Sequence, residues 1–456
     1  MPVRGMAVEK RRRIHICEDT RSGLLVMSGR PRQSGPRRSH AHMIPLAYAG
    51  QTLIVALLRS GADTTSPRSA DRIPALVQIA VVHNLPPGGA RRRLASQIGH
   101  FSTSIKEVCL STATPITADA IVIECSRRAQ RYPRILRPPL RYVDLAALQR
   151  AWHRVAEVIG TMGADVLYLN PCRYLQAPPI LDGPLPRSLY FCDEPRRVDA
   201  AEPGRSSRNV LTRPIYGPAY ARERRLDRAT IARASLVATN SHYTSVEIQR
   251  VYGREAAVIP MGVPDEMLER PNPTATEPFL LSVGALVSNK CHDLVLHAAA
   301  ATTEHRRVVI VSPRFERDEG ERLRSLARML HIDLSLRAGI SDAELAELYA
   351  SAFATLYLAR REPLGLVSLE AQACGCPVIV ADEGGLPETV ADGQTGWLVM
   401  RDPQAVAAKL AMLDDLDIRS AMSTAARRRA RSFTWRASAV EVERLLSELH
   451  RGSVSR

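Results

Sequence analysis

The chain has 456 residues, of which 45% are hydrophobic, and its 62 Lys and Arg against 47 Asp and Glu give a formal net charge of +15. This length exceeds one ordinary hydrophobic core and the composition excludes disorder throughout, so two domains of roughly 200 residues are expected. The charge is uneven, because residues 1–40 hold ten Lys and Arg against three acidic residues.

The basic excess does not by itself indicate a nucleic-acid-binding protein. All but four of the basic residues are Arg, and the sequence shows no zinc-ligand spacing, aromatic RNA-binding signature or basic heptad. An anionic membrane surface or a phosphate-bearing substrate accounts for the charge equally well. We therefore expect no nucleic-acid partner.

Residues 1–72 differ in composition from the rest of the chain. Clusters of Arg, Ser, Gly and Pro predict a basic, disordered extension. Its apolar stretch, 43–58, is short for a membrane span and lies far from Met1 for a signal peptide, although an anchor there remains an alternative. The eight cysteines are thinly spread, which favours a cytoplasmic protein, with peripheral contact to the anionic inner face of the membrane as an option.

Strand-length apolar runs alternate with helical patterns from residue 75 onward. The first run, 75–83, is continuous, as is typical of a buried parallel strand, and a helical pattern begins at Arg91. The later strand-like runs lie at 120–124, 166–169, 188–192, 236–240 and 257–259. The helical stretches between them include 145–162 and 219–233. This alternation predicts a doubly wound parallel sheet in a domain spanning 73–270.

A linker is predicted at 271–278, where three of eight residues are proline. A second series then predicts another doubly wound domain over 279–430. Its strands are expected at 279–284, 307–312, 334–338, 354–358, 377–381 and 397–399, and a clear helix is expected at 342–352. The end of the chain, 431–456, predicts an amphipathic helix that could pack on either domain.

Two glutamates flank a predicted helix start in the second domain. Glu362 lies in the loop after a strand, Gly365 opens the helix, and Glu370 lies inside it. Glycine lets a ligand approach the backbone, and the free amides of a first helical turn can receive a phosphate. Carboxylates accept hydrogen bonds from sugar hydroxyls. The arrangement therefore suits a ligand with hydroxyls at both ends and phosphate between them, such as a nucleotide sugar.

This segment resembles the acidic E-x7-E motif of retaining glycosyltransferases with the GT-B fold, in particular family 4. The following stretches, 374–380 (CGCPVIV) and 383–399 (EGGLPETVADGQTGWLV), are similar to that family in order and spacing. The resemblance covers roughly 75–430 and is densest from 279 to 400. It implies two Rossmann-like domains facing across a cleft, and sugar transfer from a nucleoside diphosphate donor to a glycan, lipid-linked or small-molecule acceptor, with retention.

The resemblance also implies roles for individual residues of the second domain. Glu362, next to Arg361, would hold sugar hydroxyls, and Glu370 would hold the ribose diol. The diphosphate would be bound by residues at two loops that follow strands, namely Gly284, Lys290, Gly365 and Leu366.

One position departs from the family pattern. The family usually has an Arg soon after the glycine that corresponds to Gly284, and Ala285 stands there instead. The diphosphate site therefore lacks one expected positive charge. Candidates to replace it are Arg314, Arg360 and Arg361.

The first domain matches the family more loosely. His83 and the loop with Gly88 and Gly89 resemble the glycine loop that approaches the acceptor and the donor phosphates, although a diglycine turn can be purely structural. Asp193, followed by Glu194, stands where family members place a His or Asp beside the reacting sugar. A simple turn carboxylate is the alternative reading.

No cofactor or catalytic metal is expected besides the donor substrate, because the histidines show no metal-binding spacing and no acidic pair follows a strand in a suitable context. Two rival functions remain open at this point. One is a related epimerase or hydrolase of nucleotide sugars, and the other is a binder of nucleotide sugars without catalysis.

Deletion of residues 1–72 should leave folding and turnover intact, because these residues precede the first strand and have no counterpart in the implied fold. Circular dichroism and an activity assay of the truncated protein would check this. A truncated protein that did not fold would contradict it.

Overall fold

The computed structural model describes residues 77–126, 137–180, 183–196, 213–270 and 277–452. All of them belong to one compact unit, Ala70–Arg456. The predicted extension 1–72 and residues 271–276 of the predicted linker lie outside the described residues, whereas Glu277 and Pro278 belong to a strand.

Within its described residues, the first half, which we call the N-lobe, has seven parallel strands and four helices. In chain order they are β1 Ile79–Asn84, α1 Gly89–Gly99, β2 Ile105–Leu110, β3 Ile121–Ile123, α2 Arg137–Thr161, β4 Val166–Cys172, β5 Ser188–Phe191, α3 Arg213–Arg233, β6 Leu236–Thr239, α4 His242–Tyr252 and β7 Ala257–Val258. The strand order is β3-β2-β1-β4-β5-β6-β7. Strand β2 was not predicted, because Lys106 and Glu107 interrupt its apolar run.

The second half, which we call the C-lobe, has six parallel strands in the described stretch 277–452. After a short helix, α5 Asp265–Leu268, its elements are β8 Glu277–Val283, α6 His292–Ala300, β9 Arg307–Ser312, α7 Arg317–Met329, β10 Leu334–Ala338, α8 Asp342–Ser351, β11 Ala352–Tyr357, α9 Leu366–Ala373, β12 Val378–Ala381, β13 Gly396–Val399, α10 Pro403–Met412 and α11 Leu416–Ala430. The strand order is β10-β9-β8-β11-β12-β13.

Both sheets have the doubly wound order, in which the direction of winding reverses beside the first strand of each lobe. Helices cover both faces, so the central strands are largely apolar and completely buried, as in β4 and β11. The predicted α/β class with two parallel sheets is confirmed. None of the helices in the described part of the chain is long and apolar enough to cross a membrane.

The last helix, α12 Trp435–Arg451, follows the C-lobe in sequence but packs on the N-lobe, against α1, β4 and β5. Its buried Glu443 accepts hydrogen bonds from the backbone amides of Ser102 and Thr103, both at 2.9 Å. Gln97 of α1 donates to Ser438 at 2.9 Å. These contacts decide which of the two lobes the amphipathic helix covers.

The chain therefore crosses between the lobes twice, first after β7 and again between α11 and α12. The two crossing segments touch each other. The amide of Val263 donates to the carbonyl of Phe433 at 3.1 Å. A Cβ atom on Gly262 would lie 2.3 Å from the backbone nitrogen of Trp435, so only glycine permits this approach.

Glu443→Ala should lower the free energy of unfolding by about 1–3 kcal/mol, because it leaves two backbone amides without their carboxylate acceptor. Glu441→Ala on the same helix is the control, since its ion pair with Arg444 is partly exposed and should be worth less than about 1 kcal/mol. Denaturant unfolding measures the free energy of unfolding of both variants. Equal losses would contradict the inference that Glu443 stabilises the protein by accepting from these two amides.

Candidate functional site

The candidate site lies where strand ends of the two lobes face each other. The relevant strands are β1 and β5 in the N-lobe and β8 and β11 in the C-lobe, and ligands of doubly wound sheets bind at their carboxyl ends. Helices α1 and α9 begin in the loops that follow β1 and β11. A contact between Arg92 of α1 and Glu370 of α9 shows that these helices face each other.

Lys290 and Glu362 are brought together in the C-lobe. The Lys290 Nζ atom donates to Glu362 Oε2 at 2.7 Å and to the Tyr357 hydroxyl at 3.0 Å. The side chains of Lys290 and Glu362 are 15% and 14% exposed. The ion pair is therefore partly withdrawn from water but open to a ligand on one side.

Glu370, the second residue of the acidic motif, is almost completely buried. The Tyr349 hydroxyl donates to its Oε2 atom at 3.1 Å, and Arg92 from the N-lobe donates to its Oε1 atom at 2.5 Å. Burial raises the pKa of the Glu370 carboxyl, and the charge of Arg92 acts against this rise. The carboxylate thus depends on a cation from the opposite lobe.

The loop that carries Glu362 is fixed by the glycine pair that follows β12. The amide of Gly385 donates to the Glu362 carbonyl at 2.8 Å. A Cβ atom on Gly385 would lie 2.0 Å from the Pro363 carbonyl oxygen, and one on Gly384 would lie 2.6 Å from the Glu362 carbonyl oxygen. Any larger residue at these positions would push the loop away.

The same loop contacts helix α4 of the N-lobe. The hydroxyls of Ser241 and Thr244 both donate to the Pro363 carbonyl, at 2.5 and 3.2 Å. The Arg361 guanidinium pairs with Glu247 at 3.2 Å, so its side chain is engaged by the N-lobe. Arg361 therefore lies beside the predicted sugar site while its charge is already paired.

A further carboxylate ties the two lobes together. Glu388 of the C-lobe accepts hydrogen bonds from the amides of His242 and Tyr243, at 2.9 and 2.8 Å. These amides belong to the first turn of α4 and have no partner within the helix. Glu388 therefore caps a helix of the other lobe.

The other predicted phosphate-binding residues lie at strand ends and helix starts. Gly284 directly follows β8, and a Cβ atom there would lie 3.3 Å from the aliphatic chain of Lys290. Gly365 is the residue before α9, and Leu366 is the first residue of that helix. The amide groups at this helix start are suited to an anion.

On the N-lobe side, buried hydrogen bonds hold the turn that leads to Gly88 and Gly89. The amide of Leu85 donates to His83 Nδ1, so the other ring nitrogen carries the proton and donates to Glu107 at 2.8 Å. No protein atom of the described residues lies within 4 Å of a Cβ atom built on either glycine. The backbone of this loop is therefore open to a ligand.

Asp193 follows β5 and is held by a bidentate ion pair with Arg93. The two bonds, to Arg93 Nε and Nη2, measure 2.8 and 2.9 Å. The Arg93 side chain is 1% exposed, while that of Asp193 is 17% exposed. Arg93 also donates to Asn170 and stacks 3.8 Å above the ring of Phe191. Asp193 thus has one fixed orientation and one accessible edge.

Ligand atoms of His83, Glu107 and Cys109 lie within 4.8 Å of one another, a spacing that could suit a metal ion. However, both ring nitrogens of His83 are hydrogen-bonded, and both Glu107 oxygens accept from the amides of Ile116 and Thr117. These hydrogen bonds show that His83 and Glu107 hold the turn after β1 in place.

Several residues of the site were not predicted from the sequence. They are Arg92, Arg93, Glu107, Tyr349 and Glu388. The run of three arginines directly after Gly88-Gly89-Ala was a usable signal, because a basic helix start beside an open loop suits a phosphate. Glu388 lies inside the recognised motif, but its partner on α4 is 146 residues away.

The profile of the family described as "Glycosyl transferases group 1" matches residues 265–429. A D-inositol 3-phosphate glycosyltransferase of Thermobispora bispora is 37% identical over 187 residues, which is 37% of this chain and 42% of that protein. The chain thus spans less than half the length of this relative. Further relatives with the same name are 32–42% identical over similar stretches.

The solved structures that resemble the chain show its fold. A sucrose-phosphate synthase of Thermosynechococcus elongatus has a TM-score of 0.64 at 19% identity, covering 82% of this chain and 100% of its own. The protein HepE of Anabaena, solved in complex with UDP and glucose, has a TM-score of 0.61 at 17% identity, with 81% and 99% coverage. Together with the two parallel sheets, these structures show that the chain has the GT-B fold.

The pKa of Glu107 lies at about 2, because hydrogen bonds from His83, Thr117 and Ile116 outweigh the opposing effect of burial. Its stabilising contribution is therefore complete above about pH 4.5 and is lost as pH falls from there to 2. Glu107→Gln should lower the free energy of unfolding by on the order of 2 kcal/mol at pH 7. In urea titrations, this difference from wild type should shrink steadily below pH 4.5. A difference that stays constant down to pH 2 would contradict the assignment.

Proposed function

We propose that the protein is a glycosyltransferase that moves a sugar from a nucleoside diphosphate donor to an acceptor hydroxyl, with retention of configuration. The observation that best supports this proposal is that a glutamate lies on each side of the start of α9. Glu362 precedes this helix start and Glu370 follows it, each carboxylate holds one cation, and the open loop of Gly88 and Gly89 begins the helix that faces it.

In this proposal the donor spans the acidic motif. The sugar hydroxyls bind Glu362 beside Arg361, and the ribose diol binds Glu370, since carboxylates accept two hydrogen bonds from a vicinal diol. The diphosphate lies between them, on the amides at Gly365 and Leu366 and on Lys290. Gly284 leaves room beside the Lys290 side chain.

The acceptor binds on the N-lobe side, against Gly88, Gly89 and the accessible edge of Asp193, with His83 supporting the loop from below. The acceptor oxygen attacks the anomeric carbon on the face from which the diphosphate leaves. One bond from that carbon to a diphosphate oxygen breaks, one to the acceptor oxygen forms, and the hydroxyl proton passes to the diphosphate. Charge on the leaving group is met by Lys290 and helix amides, so the proposal needs no metal ion.

The cleft also suits exclusion of water from the reaction. The loop of Glu362 is held against α4 by Ser241 and Thr244, and Glu388 fixes the start of α4. A donor bound between these elements would be shielded on the side of the acidic motif, which limits donor hydrolysis.

The comparisons support this proposal. A structure of the same fold was solved with UDP and glucose, and a relative that matches 37% of the chain is named a D-inositol 3-phosphate glycosyltransferase. We therefore place inositol phosphate beside glycans and polyprenyl phosphates among the acceptors to be tested. The seven cysteines within the described residues are buried and form no disulfide, which is compatible with action in the reducing cytoplasm.

Mass spectrometry of products from UDP-, GDP-, ADP- and TDP-sugars with these acceptors should reveal a glycosylated product, and NMR of its anomeric proton should show the configuration of the donor. Glu362→Gln should lower kcat/KM about 10- to 100-fold, because hydrogen bonds to a charged group are lost in the transition state. Glu321→Gln, on the exposed face of α7, is the matched control and should behave as wild type.

Two outcomes would contradict the proposal. Donor conversion without any acceptor would indicate an epimerase or hydrolase. Donor binding without turnover across the panel, unchanged by Glu362→Gln, would indicate a binder that does not catalyse. An inverted anomeric product would contradict the retaining mechanism alone.

A further inference from the structure

The C-lobe lacks one positive charge at the proposed diphosphate site, because Ala285 follows Gly284 where the resemblance leads one to expect an Arg. The structure engages Arg361 with Glu247 of the N-lobe. Among the described residues, the ion-pair partners of Glu362 and Glu370 are Lys290 and Arg92, and none of the three arginines nominated from the sequence.

Arg92 brings a guanidinium to the site from the opposite lobe. It lies in the first turn of α1, where its amide donates to the Gly88 carbonyl at 3.0 Å. Its side chain is 41% exposed, whereas that of its partner Glu370 is 3% exposed. A guanidinium carries five N–H groups in a rigid fork, so this exposed one has donors to offer a ligand in addition to its bond to Glu370.

The two glutamates of the acidic motif are paired in the same way. Lys290 of the C-lobe holds Glu362 at 2.7 Å, and Arg92 of the N-lobe holds Glu370 at 2.5 Å. Without a ligand, each carboxylate thus keeps a positive charge beside it, as a buried carboxylate requires.

A nucleotide sugar would exchange these partners. Its hydroxyls can donate to the two carboxylates, and its phosphate oxygens can accept from the two cations. Each buried group then keeps a hydrogen-bond partner throughout, so the exchange avoids the cost of an unpaired buried charge.

We propose that Arg92 is the second diphosphate-binding cation, supplied by the N-lobe in place of the missing Arg at position 285. This inference rests on the proposed nucleotide-sugar function. Because Arg92 belongs to the lobe opposite Lys290, a ligand with a diphosphate is held by both lobes, whereas a nucleoside without phosphates reaches only the C-lobe.

The test compares nucleoside, nucleoside monophosphate and nucleoside diphosphate binding by calorimetry, with whichever base of UDP, GDP, ADP or TDP the wild-type protein binds. Arg92→Gln keeps a donor for Glu370 but removes the charge, and Arg92→Ala removes both. Each should weaken diphosphate binding about 10- to 100-fold. Nucleoside binding should stay within about threefold of wild type or become tighter, because Glu370 no longer shares its oxygen with a guanidinium.

Arg91→Ala is the matched control. The neighbouring Arg91 bonds the carbonyls of Thr114 and Pro115 on the N-lobe surface and should have no part in ligand binding. Ala285→Arg added to Arg92→Gln should restore diphosphate affinity at least fivefold, since it returns the charge to the position at which the family carries it. Thermal unfolding of each variant checks that the protein is folded.

The outcomes separate this inference from the proposed function. A wild-type protein that binds none of the four diphosphates overturns the proposed function and this inference with it. Wild-type binding with diphosphate affinity unchanged in Arg92→Gln overturns the inference alone. Equal losses for nucleoside and diphosphate also overturn it, because Arg92 would then act only by supporting Glu370.

Discussion

The burial of Arg93 is the interaction on which the N-lobe side of the site depends. Its guanidinium, withdrawn from water, requires acceptors on several elements at once, and it finds them on Asp193, Asn170 and Gln97. Gln97 passes the network on to Ser438 of the last helix. One cation thus connects the glycine-loop helix, strands β4 and β5 and a helix from the end of the chain, and removal of Asp193 would leave its buried charge without an ionic partner.

The cleft itself is arranged by unlike charges from different lobes. Glu370 meets Arg92, Glu247 meets Arg361, and the carboxylate of Glu388 meets the positive start of α4. These pairs form only when the lobes are close, and two of them involve residues of the recognised motif. Residues that we propose to bind the donor and residues that contact the other lobe therefore share one short segment of chain, which would make donor binding and lobe contact difficult to separate.

The sequence predicted much of the fold because parallel strands buried on both faces are continuous apolar runs, as in β4. It failed at β2, where Lys106 and Glu107 hide a strand whose carboxylate is stabilised by the distant His83. It also predicted that Lys290 and Gly365 face one pocket, since both lie at the carboxyl ends of parallel strands. It could not predict the pairing of Arg92 with Glu370, because 278 residues separate them and no local pattern encodes the contact.

The passage of the chain between the lobes has a mechanical consequence. The two crossing segments touch at Gly262 and Trp435 and share the hydrogen bond from Val263 to Phe433. The hydrogen bond and the close approach couple the two segments, so a rotation of one lobe against the other would move both segments together at this contact. Over the length of a lobe, a small turn there becomes a large displacement at the far rim of the cleft. Gly262, whose side chain is a hydrogen atom, thus lies at the contact about which the lobes would turn.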